Sequence, residues 1–224
     1  MTPAAWIALL WAAFAATHMG LSSVPVRTRI VGRIGERAFQ GLYSLLALAI
    51  FVPLVRTFFA HKHAGAWLWV VPRGPALRWP MYAGMAIAFT LLVASFVRPS
   101  PAGVVPGDAR VDGVYRLTRH PLFMALALFG ALHLLPNGAA ADVAFFGGFV
   151  AFTLLGAWHQ DRRKLAAGSP AFRAFHAATP FLPFTGRETL RGLRELPPAV
   201  VAAGILATAV VRWFHPAWFG GFAG

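Results

Sequence analysis

The stretch AFQGLYSLLALAIFVPLVRTFF, residues 38–59, decides the fold. From Ala38 to Val55 it carries no charge, and Arg37 and Arg56 bound that run. An apolar run of about 18 or more residues crosses the ~30 Å hydrocarbon core of a bilayer as one helix. Pro53 inside it implies a kink, tolerated where neighbouring groups satisfy the freed carbonyl. Five further windows read the same way, at about 4–21, 79–97, 119–135, 142–159 and 197–215. The 119–135 window is short, so its flanks must help it span.

Composition bounds the count. The chain is 58% hydrophobic and 12% charged over 224 residues, with a mean hydropathy of +0.63. Soluble domains carry about 25% charged residues. At roughly 20 residues per span, the apolar content allows at most about six spans. The expected fold class is all-α, a polytopic membrane helical bundle of about six transmembrane helices, forming a single domain over 1–224. Disorder, a repeat solenoid and a soluble enzyme with a peripheral tail are excluded. The sequence has no cysteine, which removes disulfides, thiolate nucleophiles, Cys-held zinc and iron–sulfur clusters.

The net charge of +13 rests almost wholly on arginine, since Lys62 and Lys164 are the only lysines. On a soluble protein this charge would suggest nucleic acid. Here it lies between apolar runs, so the partner is the lipid bilayer and not nucleic acid. Fifteen of the 20 basic residues fall in three stretches, 22–37, 98–119 and 160–196. The remainder are Arg56, Lys62, Arg73, Arg78 and Arg212. The positive-inside rule puts the three basic stretches in the cytoplasm and both termini in the periplasm of a bacterial inner membrane. Trp67, Trp69, Trp79, Trp213 and Trp218 cluster at the opposite ends as an interfacial belt. The first window lacks a basic n-region and reads as a retained helix. Its Ala8, Ala12 and Ala16 form a small-residue stripe that lets another backbone approach.

An ionisable residue inside a membrane segment is costly and marks a functional hypothesis. His18 and His133 qualify. Either can be a neutral imidazole donating to a neighbouring carbonyl, or a metal or haem ligand. By helix counting His18 lies near the cytoplasmic end, and His133 about 12 residues, roughly 18 Å, above it. His120, His159, His61 and His63 are alternative ligands at the two ends. Gly113-Val-Tyr-Arg-Leu-Thr-Arg-His-Pro121 opens the fourth segment. Pro121 suits its first turn, and Arg116 and Arg119 with His120 would attract an anion to its mouth. In Trp158-His-Gln-Asp-Arg-Arg-Lys164, Asp161 is the one acidic group and suits an ion pair with its neighbours.

His18 and Ser22, Ile34-Gly-Glu-Arg-Ala-Phe39, Gly113 to Pro121, His133-Leu-Leu-Pro-Asn-Gly138 and Asp161-Arg-Arg163 together resemble the NnrU family. That bacterial family has 15-cis-zeta-carotene isomerase as its plant and cyanobacterial relative, and the likeness runs in order to His215-Pro216. The resemblance implies an integral membrane helical bundle. Its isomerase branch implies haem b held by two histidines that match His18 and His133, with redox-dependent isomerisation of a cis double bond. Its bacterial branch implies an association with denitrification and nitric oxide. Propionates would face Arg27, Arg37 or Arg119, with His120 alongside, and the ligand would be a hydrophobic polyene or a diatomic gas.

Arg119-His120-Pro121 also resembles an element of isoprenylcysteine carboxyl methyltransferases, which would hold S-adenosylmethionine there. Gly168-Ser-Pro-Ala-Phe-Arg-Ala-Phe-His176 loosely echoes their cofactor-binding end. Those enzymes place glutamates before that segment, where this chain has His159-Gln-Asp-Arg-Arg163. A third reading, a non-enzymatic assembly factor, has no sequence feature of its own.

Overall fold

A computed structural model describes residues 1–72, 74–102 and 107–220; Arg73, counted among the basic residues above, lies outside them. Ten helices run in order among the described residues. They are α1 (Pro3–Ser22), α2 (Val24–Ile34), α3 (Glu36–Ala60), α4 (Pro75–Val97) and α5 (Val114–Leu117), then α6 (Pro121–Leu134), α7 (Ala140–Ala166), α8 (Pro170–Ala178), α9 (Thr189–Glu195) and α10 (Pro198–Phe219). The fold is all-α, three-quarters helical, with no strand among the described residues.

Five helices, α1, α3, α4, α7 and α10, are long and apolar enough to cross a membrane. Each coincides with an expected window to within a few residues at its start. The sixth window is α6, apolar but only 14 residues long, about 21 Å at 1.5 Å per residue against a ~30 Å core. The 22–37 stretch is not a loop. It holds α2, started by Pro25 in its first turn and carrying Arg27, Arg29 and Arg33. The chain divides into two compact units, one of Met1–Val71 with His133–His159, the other of Pro72–Leu132 with Gln160 onward.

In the first unit, Ile7, Trp11 and Phe14 form the buried stripe of α1. The alanine stripe expected to make the close approach is exposed on the other side. The physical reason is that the bulky residues bury more apolar area, and the small residue is supplied by the partner helix. Gly148 of α7 lies directly under the Trp11 indole, where a Cβ would sit 2.1 Å from its ring nitrogen. That nitrogen donates to the Phe145 carbonyl at 3.1 Å. α3 continues unbroken through Pro53. Gly138 allows residues 64–68 to pair with 138–141, as its missing Cβ would fall 2.1 Å from the Trp69 carbonyl oxygen. The buried Asp142 then fixes the α7 N-terminus, accepting from the His63 backbone N–H at 3.1 Å and meeting His63 Nδ1 at 2.8 Å.

In the second unit, α4 and α10 pack antiparallel at backbone contact. A Cβ on Gly204 would fall 2.7 Å from Thr90 Cα. Eight residues along each helix, Arg212 Nε donates to the Tyr82 hydroxyl at 2.6 Å. The short α5 is held against α9 by Gly192, whose missing Cβ would meet Arg116 Cβ at 2.7 Å and the Gly113 carbonyl at 2.9 Å. Residues 117–119 are tied to 180–184 by backbone bonds, Arg119 N–H to the Pro180 carbonyl and Phe184 N–H to that of Leu117. The five tryptophans of the expected belt are all exposed.

Candidate functional site

The first unit builds an aromatic cage around His18. The sequence places Trp11, Phe14 and His18 three or four residues apart, on one face of α1. The His18 ring lies 4.5 Å from Phe14, 4.7 Å from Tyr43 of α3 and 5.5 Å from Phe152 of α7, measured between centroids. The Tyr43 hydroxyl donates to the His18 carbonyl at 3.2 Å and so locks α3 to α1 at this level. The half-buried imidazole itself takes no hydrogen bond among the described residues. A ring with two nitrogens in an apolar helix, walled by π-faces and free of polar partners, is an available ligand. One turn on, Ser22 Oγ meets His159 Nε2 at 3.3 Å, so His159 belongs to the end of this cage.

His133 lies in the same unit, its ring stacked on Phe146 at 4.9 Å. His18 faces Phe152 and His133 faces Phe146, both on α7. Six residues of α7 separate those levels, about 9 Å. Counting residues from the helix ends gives about twice that offset. Two imidazoles suit iron whose remaining donors come from a porphyrin. The His18 ring lacks a competing hydrogen bond and its walls are flat and apolar. The residues present therefore fit a haem in donor chemistry. Among the described residues no cluster of three or more His, Asp or Glu suits a bare ion.

Of the arginines, Arg37 is exposed in the first turn of α3, six residues before Tyr43. Arg27 is engaged, its guanidinium donating to both Glu36 carboxylate oxygens at 2.6 and 2.7 Å. Of the other histidines, His63 pairs with Asp142 as described, and His61 Nδ1 meets the Thr57 carbonyl at 3.0 Å.

Arg119 and His120 lie in the second unit and form a closed polar core. Arg119 Nε donates to Asp161 Oδ2 at 2.8 Å and its Nη1 to the Thr179 carbonyl at 2.7 Å. His120 Nε2 meets Asp161 Oδ1 at 2.9 Å, and His176 Nε2 lies 3.6 Å from Asp161 Oδ2. Asp161 is 4% exposed, Arg119 8% and His120 2%. The anion held at the mouth of α6 is thus the chain's own Asp161. That aspartate pairs with Arg119 across 42 positions, where the sequence suggested its neighbours. His176 and the Thr179 carbonyl complete the network, which adjacent-residue reading could not find. Burial, then the Arg119 charge, holds the His176 imidazole below its ordinary pKa, against the opposing pull of Asp161. The open Arg119–His120 surface that an S-adenosylmethionine site would need is filled by these contacts.

The family model described as NnrU protein matches residues 6–222. The chain is 28% identical over 192 residues to chloroplastic 15-cis-zeta-carotene isomerase of Zea mays, covering 84% of this chain and 51% of that protein. It is 27% identical over 186 residues to the Arabidopsis thaliana protein of the same name, covering 79% and 50%. The chain spans about half the length of these curated relatives. No solved structure matches.

Proposed function

The chain belongs to the NnrU family, and on that premise we propose that it is a haem b-binding membrane isomerase of a cis double bond in a hydrophobic polyene. His18 and His133 would hold the haem iron through their imidazoles, and Arg37 would pair with a propionate. The observation that carries this reading is the His18 imidazole, held among Phe14, Tyr43 and Phe152 with no hydrogen-bond partner among the described residues. The relatives named 15-cis-zeta-carotene isomerase support the reaction class.

Haem, when bound, would supply redox-active iron chemistry for the double bond. The chain's own residues do the rest. Phe14 and Phe152 give the polyene apolar faces and exclude water. Tyr43 holds α3 against α1 and fixes the level of the His18 ring. The exposed Leu42, Leu45 and Leu46 put that part of α3 in hydrocarbon, where a polyene dissolves. The Arg119–His120–Asp161 core keeps the α6 mouth closed and has a structural part.

This reading places the chain in a bacterial inner membrane, with its basic stretches cytoplasmic and both termini periplasmic. Detergent-purified protein, given reductant and 15-cis-zeta-carotene, should convert the 15-cis bond to trans by chromatography, and His18→Ala should abolish that conversion. Equal conversion by His18→Ala would overturn the proposal.

A further inference from the structure

A cavity of about 550 Å³ lies in the second unit, where α4 ends and α10 begins. Its floor is apolar, formed by the buried Ala94, Val114 and Val200, with Val97 and Leu196 also lining it. Its lining also carries four arginines, Arg98, Arg110, Arg116 and Arg191, with two carboxylates, Asp112 and Glu195. Each carboxylate is shared between two guanidiniums. Asp112 takes Arg98 and, at 3.2 Å, Arg110. Glu195 takes Arg116 and Arg191, both at 2.8 Å. Glu188 adds negative charge to the Arg116 and Arg191 side from outside the lining. The uncompensated positive charge therefore sits on the Arg98 and Arg110 side.

The frame around this charge is rigid. The Gly113 N–H donates to Glu195 at 2.8 Å, and the buried Tyr115 hydroxyl donates to the Arg98 carbonyl. Burial pushes that phenol up to about 12, so it stays a neutral donor. Arg98 directly follows the apolar run of α4, which sets the charged lining at the depth of the headgroups. A hydrophobic floor beside a cationic lining, at the ends of two membrane helices, has the two-part chemistry of an anionic lipid. Guanidinium groups pair well with phosphate oxygens, and basic pockets between membrane helices hold such headgroups.

We propose that this cavity binds an anionic glycerophospholipid, its phosphate on Arg98 and Arg110 and its glycerol end on the α4–α10 floor. Nothing in this depends on haem, since every residue lies in the second unit.

The full chain, purified in neutral detergent, is titrated with phosphatidylglycerol, phosphatidylcholine or inorganic phosphate, reading the melting temperature and lipid retained in native mass spectrometry. Phosphatidylglycerol should raise the melting temperature and stay bound, while the other two do neither. Arg98→Gln with Arg110→Gln should weaken phosphatidylglycerol about thirtyfold, the loss of two surface cation–lipid contacts. The corresponding double Lys variant should keep most of the binding, and Arg187→Gln, outside the lining, should keep all of it. An equal response to phosphatidylcholine would overturn the proposal, and so would full replacement by inorganic phosphate, which marks a soluble-anion site. An unchanged affinity in a folded double Gln variant would do the same. Should that variant fail to fold, the lipid comparison on the native protein and the double Lys variant decides.

Discussion

Removing the Asp161 carboxylate should be among the most damaging single changes in the second unit. In Asp161→Ala the Arg119 guanidinium and the His120 ring, 8% and 2% exposed, both lose their charged partner. Neither can turn to water. Among the described residues, Arg119 keeps only the Thr179 carbonyl for its side-chain bonds, and the His120 Nδ1 atom is already buried without a partner. Breaking a buried pair from one side costs about 3–5 kcal/mol. Asp161→Asn retains one acceptor for Arg119 or His120, so its loss should be smaller, about 1.5–3 kcal/mol, the worth of a charged hydrogen bond. Equilibrium unfolding of the detergent-solubilised chain, followed by circular dichroism, measures both. The ordering should be native, then Asn, then Ala. An Ala variant within about 1 kcal/mol of the native chain, below the cost of any buried unpaired charge, would refute the closed-core reading.

Two further outcomes follow from the same structure. The Gly113 N–H, then Arg116, holds the Glu195 carboxyl at about 2 against its ordinary 4.5. Its contribution is therefore complete above about pH 4.5 and drains as pH falls toward 2, so the melting-temperature gap between the native chain and Glu195→Gln should close over that window. A gap that is unchanged at pH 2 would contradict the Gly113–Arg116 contact. For topology, reporters in 160–196 and after α6, at residues 137–138, should lie on opposite sides of the membrane, with 160–196 cytoplasmic. The same side for both would mean that α7, the one helix between them, does not cross.

The five long helices were legible because each is an uninterrupted apolar run, and such runs need no knowledge of what they pack against. What failed was anything set by a distant partner. Ala8, Ala12 and Ala16 read as a packing stripe, yet the close approach is made by Gly148, which only the α1–α7 contact reveals. α2 was hidden because 11 residues with three arginines give no apolar window; their spacing makes an amphipathic helix instead. His18 and His133 could be singled out because an imidazole among apolar neighbours stands out alone. The walls of the His18 site could not, since Tyr43 and Phe152 come from positions 25 and 134 residues away. Arg119 reads in sequence as an anion holder for a cofactor, whereas the anion it meets in the structure is its own chain's Asp161, 42 positions on.

The visible spectrum of the purified chain bears most directly on the central claim. Native protein should show a Soret band and, on reduction, the sharp α and β bands of low-spin iron that two imidazole ligands, His18 and His133, would give. His18→Ala and His133→Ala should each lose those bands or turn high-spin, while His215→Ala leaves them unchanged. A protein that purifies without haem, or a spectrum indifferent to both His18 and His133, would contradict the account.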